Sequence, residues 1–563
     1  MGKSPSVGII GAGISALRCA DILIQNGVQV TLLEARGRIG GRVGLPSTTA
    51  VELPNERESD LPGQGWGSSC GRVRAQSLCH AARTDRQYSG PNWIHGTDSN
   101  PITNIAIGSN TKLHEWDESQ SIFNPSGDLC DDALATKITE WMWTIIEEAF
   151  EYSNKYKDII PAHKSLSDFF REKIEETNLT QEEKDMCIEL SKTWGAYVGD
   201  PVERQSLKFF RLEECIDGNN LFVASTYKNI LEHISGPVVR RADIRLNEPV
   251  VKIEALRRAS GTKHQVAVTT AAGKRYHFDE VVVTCPLGWL KRNKSAFVPE
   301  IPARLSSAID SISYGGLEKI YAVFPHAFWD STSSINNHSP PSPFTHFLNP
   351  TYVEHAESTS WNQECISLSA LPAGCAHPTL LFYIFGPSAA YVVSKIKTLD
   401  PSSDTYYNFL NEFLLPYYSR LPQYSSSSPD CKPASLFATQ WRNDLYAGNG
   451  SYSNFQVGLE RGDEDIEVMR EGMGIDRGIW FAGEHTAPFV GLGTTTGAYW
   501  SGERAAGQIC DIYNLSRSGM GLKRDDSLPS AIADASRVRP KVLVPPVVVT
   551  GMAEGQQVLN CSY

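Results

Sequence analysis

Residues 7–43 read VGIIGAGISALRCADILIQNGVQVTLLEARGRIGGRV. The short apolar run Val7, Ile9, Ile10 predicts a buried strand. Gly11, Gly13 and Ala16 follow as G-x-G-x-x-A, and residues 14–25 carry a helical pattern. In such a turn Gly11 permits the sharp bend and Gly13 lets backbone approach a pyrophosphate, while Ala16 lets helix and strand pack closely. The helix N-terminus then offers unpaired N–H groups and the positive end of its dipole to the phosphates. Gly27 marks the helix stop, and Val28, Val30, Leu32 and Leu33 predict a second strand ending at Glu34. An acid about twenty residues past the turn is where a dinucleotide fold grips ribose hydroxyls. Strand, turn, helix, strand and acid in this order point to a dinucleotide site far more strongly than the glycines alone.

The next turn, Arg36-Gly37-Arg38-Ile39-Gly40-Gly41-Arg42, has no purpose in a nicotinamide enzyme. Here the chain resembles the flavin-containing amine oxidases, in which E-A-x-x-R-x-G-G-R closes over the FAD pyrophosphate. The resemblance places Arg42 on a phosphate, gives the backbone room at Gly40 and Gly41, and adds Arg36 to the cofactor residues. A solvated arginine after a turn is the plain alternative for Arg42.

Further marks of the same family recur along the chain. The stretch 90–102, GPNWIHGTDSNPI, resembles the polyamine-oxidase branch: Trp93 is an apolar wall and His95 a substrate-contacting and catalytic residue by that likeness. The strand element DIRLNEPVVKIEAL brings the Val250 backbone toward adenine, and P-L-G-x-L-K at 286–291 is another mark. Lys319 matches the lysine that holds a water beside flavin N5, where a cation can stabilise developing charge. Trp441 is expected against the flavin or the substrate tunnel, with a core role equally open. Near the end, GIWFAGEHTAPFVGLGTTTGAYWSGERAA supplies Glu484 for a ribityl hydroxyl and the Thr495 N–H for the pyrimidine end, with the helix expected from Ala498. Thr494, beside it among the cofactor residues, stands where many relatives place an aromatic, so no aromatic cage is carried over.

The chain has 563 residues, 41% hydrophobic, enough for a large core and more than one domain. Its net charge of −12 argues against nucleic acid as a partner and is compatible with cationic substrates. Twelve cysteines are scattered without a C-x-x-C pair, and no His cluster has metal-ligand spacing. Free thiols, no metal and a reducing compartment are expected. Absent a signal-peptide pattern, a long apolar run or a peroxisomal tripeptide, the expected location is cytoplasmic, without a membrane.

The expected fold class is α/β: a Rossmann-like FAD-binding domain of the glutathione-reductase type, interleaved with an α+β substrate-binding domain. The FAD-binding part is assigned to 1–105, 215–300 and 450–512, and the substrate-binding part to 106–214 and 301–449. Residues 131–195 are read as helices with core aromatics, and no heptad run long enough for a tall coiled-coil insertion appears, which weighs against the histone-demethylase branch. Residues 330–345 and 402–434 are read as loops, and 513–563 as a loose tail. Residues 44–89, rich in Gly, Pro, Ser and Arg, lack periodicity and are read as an atypical loop or aberrant segment.

The function implied by the resemblance is oxidation of a polyamine C–N bond with non-covalently bound FAD. The imine product hydrolyses to an aldehyde and a shorter amine, and O2 is reduced to H2O2. A monoamine or amino-acid oxidase of the same fold, and a flavoprotein inactivated by 44–89, remain as alternatives.

Overall fold

The computed structural model describes residues 4–43, 90–116, 119–256, 265–330, 341–354, 361–516 and 518–519. The readings of 44–89 and of the tail beyond 520 lie outside the described residues. The opening strand, Ser6–Ile10, lies at the centre of a five-stranded parallel sheet. From one edge the order is Ile479–Phe481, Glu280–Val283, Ser6–Ile10, Gln29–Leu33, Asp243–Arg245. The runs VGII, VVV and IWF are apolar throughout because helices cover both faces of such a sheet.

Helix Ile14–Gln25 begins and ends where its sequence pattern predicts. It buries Ile14, Leu17, Ile22 and Leu23 and packs against the long helix Thr495–Ile512. The two helices touch through small residues: a Cβ on Gly502 would lie 2.3 Å from the Ser15 carbonyl oxygen. The hydroxyls of Ser15 and Ser501 share a hydrogen bond of 2.9 Å. Segments nearly 500 residues apart in sequence thus build one core.

A second sheet has six strands in the order Ser435–Ala438, Glu318–Val323, Thr379–Ile384, Gln363–Ser367, Phe344–Phe347, Gln120–Phe123. Its pairings are antiparallel except the last, which is parallel. Helices Asp132–Tyr156, Leu166–Glu175 and Gln181–Ser191 form a separate core beside it. The strands of the two sheets alternate along the chain, which gives the expected α/β class with an interleaved α+β part.

Two sequence readings need correction. Residues 402–434 are not all loop: Asp404–Tyr418 is a helix, capped by Ser403 and burying Tyr406, Leu410, Leu414 and Tyr417. The serine-rich flank masked this apolar stripe. The last helix starts at Thr495 rather than Ala498, because the Thr494 hydroxyl caps it by accepting from the Gly497 N–H at 2.9 Å.

Candidate active site

A cavity of about 2630 Å³ opens between the two sheets. Pockets for single small ligands span about 300–1,000 Å³, so this one has room for an extended coenzyme and a substrate together. Every expected site residue except Ala16 lines it. Ala16 is completely buried in the core instead, so it acts by packing and touches no ligand.

The first turn forms one end. Gly11 has φ +103°, and a Cβ there would lie 2.5 Å from the Thr284 hydroxyl. At Gly13 a Cβ would meet nothing within 4 Å: its side opens on the cavity. The helix that begins there has neither a side-chain cap nor an acid in its first turn, so its leading N–H groups remain for an anion. Glu34 accepts from the Ala12 and Arg36 N–H groups, each at 2.8 Å, and burial still pushes its carboxyl upward. The second turn closes on the first through Gly40 N–H to the Ala12 carbonyl, 2.8 Å. A Cβ on Gly41 would come 3.4 Å from the Gly13 Cα. Arg36 pairs with Asp444 at 2.9 Å and lies over the Tyr446 ring.

Arg42 is more constrained than its motif implies. Its Nη1 donates to Tyr314 Oη at 3.1 Å, to Glu484 at 3.1 Å and to the Ser451 carbonyl. That nitrogen is committed within the protein, leaving the rest of the guanidinium for a phosphate. Glu484, in turn, is buried and also takes the Ser453 hydroxyl at 2.5 Å. Thr495 is reached by the Tyr227 hydroxyl at 3.3 Å, and that hydroxyl also bonds the Trp93 carbonyl at 2.5 Å. Val250 and Trp441 lie on the cavity wall.

Lys319 lies on the six-stranded sheet with its side chain toward the cavity. Its Nζ donates to the Gly90 carbonyl at 2.6 Å and to Asn92 Oδ1, which also takes the Tyr383 hydroxyl at 3.2 Å. Burial lowers the ammonium to about 7, with the Glu318 charge opposing. Trp93 meets Phe222 edge-on at 5.1 Å and stacks on Phe344 at 6.3 Å. Burial holds the His95 imidazole below its ordinary range, against a hydrogen bond to Asn220 that favours the charged form.

Among the cavity residues that the sequence reading did not single out are Asn92, His346, Glu364 and Tyr383. Asn92 stood inside the quoted 90–102 stretch. The other three lie in strands Phe344–Phe347, Gln363–Ser367 and Thr379–Ile384, and only strand pairing brings them to the site.

These features fit FAD: an open cradle at Gly13, an uncapped helix N-terminus, and a cavity long enough to reach from Glu34 to Lys319. Together they define a flavin-dependent oxidoreductase. A family model described as "Flavin containing amine oxidoreductase" matches residues 89–510, and one described as "NAD(P)-binding Rossmann-like domain" matches residues 9–64. The chain belongs to the flavin-containing amine oxidoreductase family, and its cofactor is FAD. "Probable polyamine oxidase 4" of Arabidopsis thaliana is 26% identical over 530 residues, covering 92% of this chain and 88% of its own. "Corticosteroid-binding protein" of Candida albicans is 25% identical over 541 residues, covering 92% and 97%. "Lysine-specific histone demethylase 2" of Homo sapiens is 24% identical over 515 residues, covering 90% and 53%.

Proposed function

We propose that this enzyme oxidises a C–N bond of a polyamine, giving an aldehyde and a shorter amine, with O2 reduced to H2O2. The observation that carries the reading is a buried lysine inside a cavity whose walls also hold Glu213, Glu214 and Glu364. Such walls favour an elongated cation over an apolar monoamine or a carboxylate-bearing amino acid. Similarity to proteins named polyamine oxidases supports the same reading.

When bound, non-covalently in this reading, FAD supplies the two-electron acceptor for the amine and returns those electrons to O2. The chain's own residues bind, orient and exchange protons. Trp93 walls the substrate's aliphatic chain, and neutral His95 accepts a hydrogen bond from its amine. Lys319 is poised between charged and neutral forms at neutral pH, so it holds and releases a proton at Nζ. The cofactor residues are Gly11, Gly13, Glu34, Arg36, Gly41, Arg42, Val250, Trp441, Glu484, Thr494 and Thr495, drawn from both ends and the middle of the chain. All but Trp441, which stands in the substrate-binding part, belong to the FAD-binding part assigned in the sequence reading. The site of action is the cytoplasm; no helix among the described residues is long and apolar enough to cross a membrane.

The test is a peroxide-coupled assay with spermine, spermidine, N-acetylspermine, benzylamine and amino acids. The expected result is a polyamine kcat/KM at least about tenfold above that for benzylamine, one such factor being about 1.4 kcal/mol of transition-state preference. A preference for benzylamine or an amino acid overturns the proposal.

A further inference from the structure

One row of side chains crosses four strands of the six-stranded sheet. Lys319 is paired with Tyr383, Tyr383 with Glu364, and Glu364 with His346. Paired residues share a face, and all four line the cavity. Lys319 and Tyr383 already have work: both bond Asn92 Oδ1. The other two do not. Glu364 is 8% exposed, and no hydrogen bond or ion pair engages its carboxyl among the described residues. His346 is 4% exposed, and neither ring nitrogen has a partner among the described residues.

A buried carboxyl and a buried imidazole without partners are costly unless something supplies the missing bonds. We propose that Glu364, with His346 beside it, anchors a second, distal ammonium group of the substrate. The inference rests on the reading that the substrate is a polyamine. An ammonium has three N–H donors and no acceptor, so it matches a carboxylate plus the lone pair of a neutral imidazole. Burial keeps the imidazole neutral, lowering it to about 4. Burial also raises the carboxyl to about 7, which an arriving cation reverses.

The row fixes which amine is held. Adjacent strands are about 4.8 Å apart, so Glu364 stands about 10 Å from Lys319 along the sheet, two strand spacings away. The amine at Glu364 is therefore not the one beside Lys319 but another along the aliphatic chain. A substrate whose distal nitrogen is acetylated brings no charge to the pair.

The experiment compares the flavin-loaded wild type with Glu364→Gln on spermidine, spermine and their analogues acetylated on the distal nitrogen. Anaerobic flavin reduction is followed alongside steady-state KM. Glu364→Gln should raise the KM for free polyamines by about 10- to 100-fold, the worth of a charge-assisted hydrogen bond. Reduction at saturation should fall far less, and the acetylated analogues should lose little. An equal loss on both substrate sets, or none, overturns the anchor alone. A second arm needs no variant: the wild type itself should show a lower KM for the free polyamine than for its distally acetylated partner, and the reverse order overturns the anchor. A wild type that oxidises benzylamine and no polyamine overturns the underlying reading, and the anchor with it.

Discussion

At the scale of single residues, burial of Lys319 makes its contribution to stability depend on pH. Its ordinary value of 10.5 falls to about 7 in the fold. Between those values the unfolded chain holds a proton that the folded chain lacks, so the stability contributed by this group rises with pH across that window and is lowest below about 7. Lys319→Met should therefore raise the Tm of flavin-stripped protein more near about pH 6 than near about pH 10, as scanning calorimetry would read. The same variant should slow reoxidation of reduced enzyme by O2 at least about tenfold, because the cation that favours it is gone. Stopped-flow traces at several oxygen concentrations check this, and an unchanged rate removes Lys319 from the chemistry. Lysine and its motif were legible in the sequence because an ionisable side chain within a family pattern announces itself. Asn92, which bonds that lysine, was not: it stood inside the 90–102 stretch, but an amide does not titrate, and its part becomes visible only when Gly90, Asn92 and Tyr383 converge on one point.

Secondary-structure elements position the coenzyme grip. Gly13 and Gly11 lie two residues apart and should fail differently. A Cβ at Gly13 would meet no protein atom within 4 Å, so Gly13→Val should fold but fill the cradle where phosphate is expected. The expected product is a colourless protein whose flavin content falls at least about tenfold, because the helix N-terminus can no longer be approached. Gly11→Ala strains a positive φ and drives into Thr284, so it should cost stability whether or not FAD is added. Flavin absorbance and Tm measured on both variants separate the two outcomes. At the other end, Thr494→Ala should cost about 1 kcal/mol of stability by uncapping the helix that begins at Thr495, checked by urea denaturation. The first βαβ unit was readable, its helix to the residue and its strands to within about one, because its signals are local: a glycine turn, an apolar run and an acid. The helix Asp404–Tyr418 was not, because its serine-rich neighbourhood dominated the reading and its apolar stripe found meaning only against the sheet it covers.

The whole molecule is held together by contacts between remote parts of the chain. Arg42 joins the N-terminal unit to Tyr314, Ser451 and Glu484, and the Ser15–Ser501 bond joins the first helix to the last. Such contacts were legible only as agreement between distant motifs. They also bear on residues 44–89. A Cβ on Gly90 would lie 3.5 Å from the Val43 Cα, so the two ends flanking that stretch are already neighbours. A chain in which 44–89 is replaced by a linker of about three glycine and serine residues should fold and bind FAD, since closing so short a gap costs little entropy. Flavin-to-protein ratio and polyamine turnover are the measurements, and loss of both would show that the stretch is needed.

The four-residue row on the six-stranded sheet carries one last consequence. Its members stand at 319, 346, 364 and 383, intervals that obey no linear pattern, because strand register rather than chain spacing aligns them. The connections between them can lengthen or shorten without disturbing the alignment. A slip of a single position in any one strand would turn its member to the opposite face and erase the row. If the proposed anchor holds, substrate preference is thus a matter of parity, insensitive to insertions that spare the strands and abolished by one residue gained or lost within them.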